Sequence, residues 1–364
     1  MAKYLVTGAT GFLGTHLVLA LVEAGHDVTA FAREAHARSF PAGVKVVRGD
    51  ITDAAAVKAV AKGKDGVFHA AGRVSRSAAD AEEMYTVHVR GTKTVLEAAR
   101  DAGVRRAVFV SSSGTIAVSE DPDRIATEDD ERPIGILNRW PYYRAKYFAE
   151  QAALAMNGPA FDVVSVNPTL LLGPGDLRGS STEDVRLFLE KKIPAVPPGG
   201  ISFVDVRDAA QALLLAMEKG KPGATYLVGA VNLTLREFFA KLERVSGVSA
   251  PWLPVPRAPE VAKVGVSLFE KLAKSLGARL PVDAQSLDMA QYYWYLDASR
   301  AENELGFVSR DPMETLTDTV ADLRDRGVVW PESRDEATPF ADLVTEMAAK
   351  AKSAADTFRS SDTP

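Results

Sequence analysis

Apolar residues follow two rhythms along the first half of this chain. Short β-branched runs, "KYLVT" (3–7), "DVTAFA" (27–32), "VKVVRGD" (44–50), "GVFHA" (66–70), "AVFVSS" (107–112) and "DVVSVN" (162–167), are nearly continuous in apolar character. Such runs suit strands covered on both faces of a parallel sheet. Between them lie segments such as "FLGTHLVLALVEAG", where Leu13, Leu17 and Leu21 recur every four residues and Gly25 marks a stop. Strand and helix alternating in this way predict an α/β fold, a Rossmann-type doubly wound parallel sheet. After Asn167 the rhythm changes, through the turn-rich "NPTLLLGPGD" and "AVPPGGISF". It resumes with "FVDVRDAAQALLLAM" and "ATYLVG". The pattern divides the chain into a dinucleotide-binding core over 1–173, to which 201–230 returns, and a smaller, interleaved C-terminal substrate-binding part making up most of 174–330. A tail follows over 331–364, where "ADLVTEMAAKAKSAADTF" predicts a helix.

Composition narrows the classes of function. With 364 residues, 46% hydrophobic and 25% charged, the chain can bury a large core. A net charge of −5 speaks against a nucleic-acid partner. The absence of cysteine excludes disulfides, thiolate metal sites and cysteine nucleophiles. The start "MAKYLVTG" runs straight into a strand with no leader, and no apolar run approaches the ~20 residues of a membrane span. These features predict a cytoplasmic protein. The histidines and acids show no ligand spacing, so no metal is expected.

Two constellations suggest chemistry. In "LVTGATGFLG", Gly8, Gly11 and Gly14 stand between the first strand and the first helix. Glycines at such a turn let the backbone approach a pyrophosphate at the positive end of a helix. Thr10, Phe12 and Leu13 share the turn and join them as cofactor-binding candidates. In "YYRAKYFAE", Tyr142 and Lys146 are four residues apart, on one helical face. A phenol of pKa about 10 is a poor acid or base at neutral pH, and a nearby cation would lower that value. At the end of the second strand, "TAFAREAHAR" offers Arg33 and then Arg38 with no acid before them. An arginine there accommodates a 2′-phosphate, which predicts NADP, although Glu34 argues for NAD.

Taken together, the chain resembles the extended short-chain dehydrogenase/reductase superfamily, also described as NAD-dependent epimerases/dehydratases. It looks most like the dihydroflavonol reductase and 3β-hydroxysteroid dehydrogenase branch. The resemblance runs from residue 3 to about 325 through eight ordered stations: "TGATGFLG", "GDITD", "FHAAG", "VRGTKTVLEAA", "VFVSSSGT", "YYRAK", "NPTLLLGPG" and "FVDVRDAA". It implies that Asp50 and Ile51 flank the adenine, that Ala70, Ala71 and Gly72 line the cofactor, and that Asn167 and Pro168 meet the nicotinamide end. Tyr142 would be the general acid or base, Lys146 would bond the nicotinamide ribose, and Ser112 or Ser113 would hold the substrate oxygen. Two stations depart from the pattern: His88 stands where an asparagine is usual, and Arg300 in "DASRAENELG" where a lysine is.

The reaction expected is reduction of a small-molecule ketone or aldehyde, or oxidation of the matching alcohol, with a homodimer left open as the assembly. A nucleotide-sugar epimerase would present basic side chains to a diphosphate, and only Arg178 and Arg186 occur in "GPGDLRGSSTEDVRLF". A non-catalytic dinucleotide sensor would lose the tyrosine and lysine that are present here. The acidic loop 119–133 is either solvated surface or a gate, Trp140 either pocket wall or packing, and His88 either a satisfied buried residue or a modifier of proton traffic. The tyrosines and tryptophan of 292–295 and the amphipathic stretch 261–276 read as packing.

Overall fold

The computed structural model describes residues 1–34, 40–193, 195–251, 253–254 and 284–329. Its centre is a seven-stranded sheet in the order β3-β2-β1-β4-β5-β6-β10. The strands are β1 (Lys3–Thr7), β2 (Asp27–Ala32), β3 (Lys45–Arg48), β4 (Gly66–His69), β5 (Arg106–Val110), β6 (Asp162–Pro168) and β10 (Thr225–Val228). Every adjacent pair is parallel. The strand order reverses between β1 and β4, the switch point at which an open α/β sheet offers a crevice beyond its strand ends. One expectation needs correcting. β3 is not covered on both faces but largely exposed, because it is the last strand of the sheet and little packs on it.

Helices cover both faces. On one, α1 (Phe12–Glu23) lies beside α8 (Val206–Lys219), with Leu13, Leu17 and Leu21 buried as their spacing requires. On the other lie α2 (Ala54–Ala61), α4 (Gly91–Asp101) and α6 (Pro141–Leu154), packed through Val57, Val95, Leu96, Ala149 and Ala153. α4 continues from α3 (Ala81–Tyr85) through one π-helical turn, Thr86–Arg90. The short α5 (Ile134–Leu137) precedes α6.

A smaller layer sits beyond the carboxyl ends of the strands. There β7 (Leu170–Leu172) pairs in parallel with β9 (Gly200–Asp205), and β9 pairs antiparallel with β11 (Val231–Thr234). A further pair joins β8 (Ala195–Val196) to β12 (Leu253–Pro254). Leu172, Phe188, Phe203, Phe238, Leu242 and Leu316 bind this layer to α7 (Glu183–Leu189), α9 (Leu235–Ser246) and the helix Pro312–Asp325. α9 opens with a capping box between Thr234 and Glu237 and closes on left-handed Gly247. Among the described residues, no helix is long and apolar enough to cross a membrane.

Candidate active site

β1 ends at Thr7 and the chain turns through Gly8, whose φ of +69° lies in the left-handed region. A Cβ on Gly8 would stand 2.6 Å from the carbonyl carbon and oxygen of Ala70 and from Cα of Ala71. The turn therefore presses directly on the end of β4, and a side chain there would separate the two strands. Gly11 closes the turn by donating its N–H to the Gly8 carbonyl at 2.9 Å. It is also the N-cap of α1 and supplies no side-chain acceptor, so the first N–H groups of the helix face the crevice at its positive end. Phe12, Leu13 and Gly14 are buried behind the turn and Thr10 is half-buried on it. A pyrophosphate fits this cradle: bare backbone, a helix terminus, and no side chain in the way.

Because the strands are parallel, the other cofactor candidates lie on the same edge of the sheet. Asp50 and Ile51 follow β3, and Ala70, Ala71 and Gly72 follow β4. Thr52 donates its N–H and hydroxyl to the Asp50 carboxylate at 2.9 and 2.7 Å. The N–H bond chiefly holds that carboxyl below its usual range, the Arg33 guanidinium adding a smaller pull. Arg33 itself is exposed at the end of β2. Glu34 is paired with Arg178 at 3.0 Å, while Arg38 lies outside the described residues.

The candidate catalytic residues lie where β5 and β6 end against α6. Pro141 occupies the first turn of α6, where its missing N–H costs nothing. Tyr142, Lys146 and Glu150 then follow at successive four-residue steps along one face. Lys146 Nζ donates to the Val110 carbonyl at 2.8 Å. The serine turn is next to it: Ser112 is half-buried and accepts from the Gly114 N–H, whereas Ser113 is buried within the 3₁₀ turn Ser113–Thr115. Asn167 on β6 donates to the Ser112 carbonyl at 3.2 Å and to Thr115 Oγ1 at 3.1 Å. The structure thus ties the serine turn, Lys146 and Asn167 together through short bonds.

Burial sets the electrostatics. It pushes Lys146 down to about 8, against the opposing pull of the Glu150 charge. It pushes the Tyr142 phenol above its ordinary value, and Tyr143 beside it adds to the rise. Withdrawing the phenol from water penalises the phenolate, and this outweighs any lowering by Lys146. His88 lies in the π-helical turn, its ring edge-to-face with Tyr142 at 5.6 Å and its Nε2 sharing a 2.8 Å hydrogen bond with the Arg73 carbonyl. Burial holds it neutral, down to about 3. It is both satisfied and in contact with the phenol.

Glu150, Tyr143 and Arg76 were not among the sequence candidates, whereas Trp140, Trp294 and the acidic loop were weighed there. Glu150 is fully buried and accepts from Ser111, Thr115, Asn167 and Arg132. The only signal for it was a second four-residue step beyond Lys146. Tyr143 packs against Trp294 with centroids 4.9 Å apart and rings tilted by 33°, both against Gly114. Trp140 is buried packing, its Nε1–H donating to Asp288 at 2.9 Å. Arg76, on the loop after β4, donates twice to Asp184 of α7 and once to Ser286. The acidic loop is not simply solvated: Ala126 is buried, Glu128 accepts from the Leu227 N–H at 2.8 Å, and Arg300 pairs with Asp129 at 2.6 Å. The amphipathic stretch 261–276 and the tail 331–364 lie outside the described residues.

A sequence profile of the NAD dependent epimerase/dehydratase family matches residues 4–229. A putative dihydroflavonol 4-reductase of Synechocystis sp. is 34% identical over 341 residues, covering 90% of this chain and 96% of its own. Sterol demethylase protein B of Methylococcus capsulatus is 32% identical, covering 89% and 99%. Among solved structures, gox2253 superposes with a TM-score of 0.78 at 28% identity, covering 91% of this chain and all of that one. MoeE5 in complex with UDP-glucose and NAD gives 0.68 at 25% identity, covering 89% and 99%. With the glycine cradle in place and relatives aligned along nearly their whole length, the chain belongs to the NAD dependent epimerase/dehydratase family, the extended short-chain dehydrogenases/reductases, enzymes that work with a nicotinamide dinucleotide.

Proposed function

We propose that this enzyme is an NADP-dependent reductase of a hydrophobic small-molecule ketone or aldehyde, with Ser112, Tyr142 and Lys146 at the reacting centre. The observation that carries this reading over a nucleotide-sugar epimerase is the engagement of the two basic residues a diphosphate would need. Arg178 is paired with Glu34, and Arg186 is held by Glu183 at 2.6 Å and by Glu190. Relatives named as reductases, including a cinnamoyl-CoA reductase of Oryza sativa at 31% identity over 276 residues, support the same direction. The aromatic side chains Tyr143 and Trp294 beside Gly114 suit an apolar substrate.

The bound nicotinamide dinucleotide would supply the hydride, and Gly8, Gly11 and the start of α1 would hold its pyrophosphate. The chain's own work is proton transfer and positioning. Tyr142, kept protonated by burial, is ready to donate a proton to the carbonyl oxygen as that oxygen gains charge. The half-buried Ser112 hydroxyl is better placed than Ser113 to hydrogen-bond that oxygen and to hold it near Tyr142. The Lys146 ammonium, bonded to Val110, stands one helical turn from Tyr142 to favour the phenolate left after donation. Glycine-turn geometry would orient the cofactor towards them.

The test is turnover of a carbonyl panel that includes dihydroflavonols and cinnamoyl thioesters, with either cofactor. Nicotinamide absorbance should fall in proportion to the carbonyl reduced, and Tyr142→Phe should cut kcat about 100-fold with cofactor affinity retained. A fully active Tyr142→Phe enzyme, or isomerisation of a nucleotide sugar with no net loss of absorbance, overturns the reading.

A further inference from the structure

Glu150 has no part in the chemistry described so far, yet its carboxylate accepts four hydrogen bonds beside the serine turn. It is fully buried on α6, one turn beyond Lys146. Oε2 accepts from Ser111 Oγ, from Thr115 Oγ1 at 2.8 Å and from Asn167 Nδ2 at 2.7 Å. Oε1 accepts from Arg132 at 2.9 Å. These donors belong to four places in the chain: the end of β5, the serine turn, β6 and the acidic loop. Two of those donors also hold the backbone of Ser112: Thr115 Oγ1 and Asn167 Nδ2 bond its carbonyl at 2.9 and 3.2 Å, beside the Thr115 N–H of the turn itself. A carboxylate with four donors is rigid in a dry interior, and its loss would leave several donors unpaired at once.

We propose that Glu150 is a positioning residue of the proton-transfer site: its buried carboxylate locks the serine turn and β6 to the helix that bears Tyr142 and Lys146, and it fixes the charge that Lys146 faces. This rests on the roles given above to Ser112, Tyr142 and Lys146. The ionisable groups around Lys146 are few. His69 on β4 and His88 on the π-helical turn are both held neutral by burial, each down to about 3. Tyr142, on the same face of α6, is protonated. The remaining surroundings of Nζ are the Val110 carbonyl and the Phe109 ring, 5.5 Å to its centroid. Glu150 is therefore the negative charge that opposes the burial of Lys146, with Arg132 beyond it partly cancelling its field. Arg132 reaches solvent, lining a cleft of about 480 Å³ under the acidic loop.

Two variants bear on the idea with opposite signs. Glu150→Gln preserves size but not charge, and its amide nitrogen cannot accept from the donors that face it. Lys146 should then lose its proton at lower pH, and kcat should fall by roughly 100-fold as Ser112 drifts from register. Arg132→Met leaves the carboxylate field uncompensated, so Lys146 should hold its proton to higher pH. The titration is read directly from the Lys146 side-chain nitrogen by NMR on ¹⁵N-lysine-labelled full-length protein, beside the alkaline limb of kcat. Opposite displacements of the Lys146 midpoint, followed by the alkaline limb, support the proposal. An unmoved midpoint, displacements of the same sign, or an unchanged kcat in Glu150→Gln overturns it. A purely structural role would lower the melting temperature of both variants and move neither midpoint. Because the NMR titration does not depend on turnover, an active Tyr142→Phe enzyme would refute the catalytic reading while leaving the hold of Glu150 on Lys146 measurable.

Discussion

On the NADP reading proposed above, a single side chain, Arg33, would set the choice of cofactor. It is exposed at the end of β2, where the ribose of a bound dinucleotide would lie, and its guanidinium can meet phosphate oxygens bidentately. Glu34, the residue that argued for NAD, pairs with Arg178 at 3.0 Å, both side chains exposed. A charge-assisted bond of about 1.5–3 kcal/mol implies that Arg33→Ala shifts preference roughly 10- to 150-fold towards NAD. Dissociation constants for both cofactors, with wild type and variant, measure this. Equal losses for NADP and NAD would make Arg33 an ordinary surface residue.

At the scale of elements, the strand–turn–helix unit of β1 and α1 is where local sequence and structure agree best. Its apolar run, its glycines and its leucine spacing all concern residues within one turn or one strand of each other, so they could be read directly. The neighbouring helix face was readable for the same reason as far as Tyr142 and Lys146. Glu150 was not, because an acid on a helix ordinarily faces water, and its partners Ser111, Thr115, Asn167 and Arg132 come together only in the folded chain. The exposure of β3 and the docking of the acidic loop were hidden likewise, since both depend on which strand ends the sheet and what lies next to it. The glycine turn itself can be tested as a unit. Gly11 has φ −76°, which any residue adopts, and a Cβ there meets only the Gly8 carbonyl at 3.2 Å. Gly11→Val should therefore fold and melt near the wild-type temperature while losing dinucleotide affinity, because on the proposed reading the branched side chain would stand where a pyrophosphate would approach. Calorimetric titration showing unchanged affinity would reduce the turn to a structural device.

Over the whole molecule, two buried histidines tie the sheet to its helices and couple folding to acidity. His69 bonds Thr7 of β1 at 2.7 Å and Thr92 of α4 at 3.0 Å, and His88 lies behind Tyr142. Both are pushed down to about 3 by burial, whereas an unfolded histidine titrates near 6.5. The unfolded chain thus binds protons that the folded one refuses. Stability is complete above about 6.5 and declines as pH falls towards 3, by about 1.4 kcal/mol per pH unit for each histidine. Denaturant titrations between pH 7 and 4 should show this slope, and His69→Gln should reduce it; an unaltered slope would remove His69 from the account. The order of the strands has a consequence for how the protein is made. β10 completes the sheet beside β6, yet residues 169–224 are synthesised between them. Until Val228 leaves the ribosome, the edge of β6 that will meet β10 keeps its backbone N–H and C=O groups unpaired, while Val163, Val164 and Val166, fully buried in the finished protein, stand on the faces beside it. For that interval the nascent chain carries an open template for aggregation, and its protection falls to chaperones or to the speed of translation.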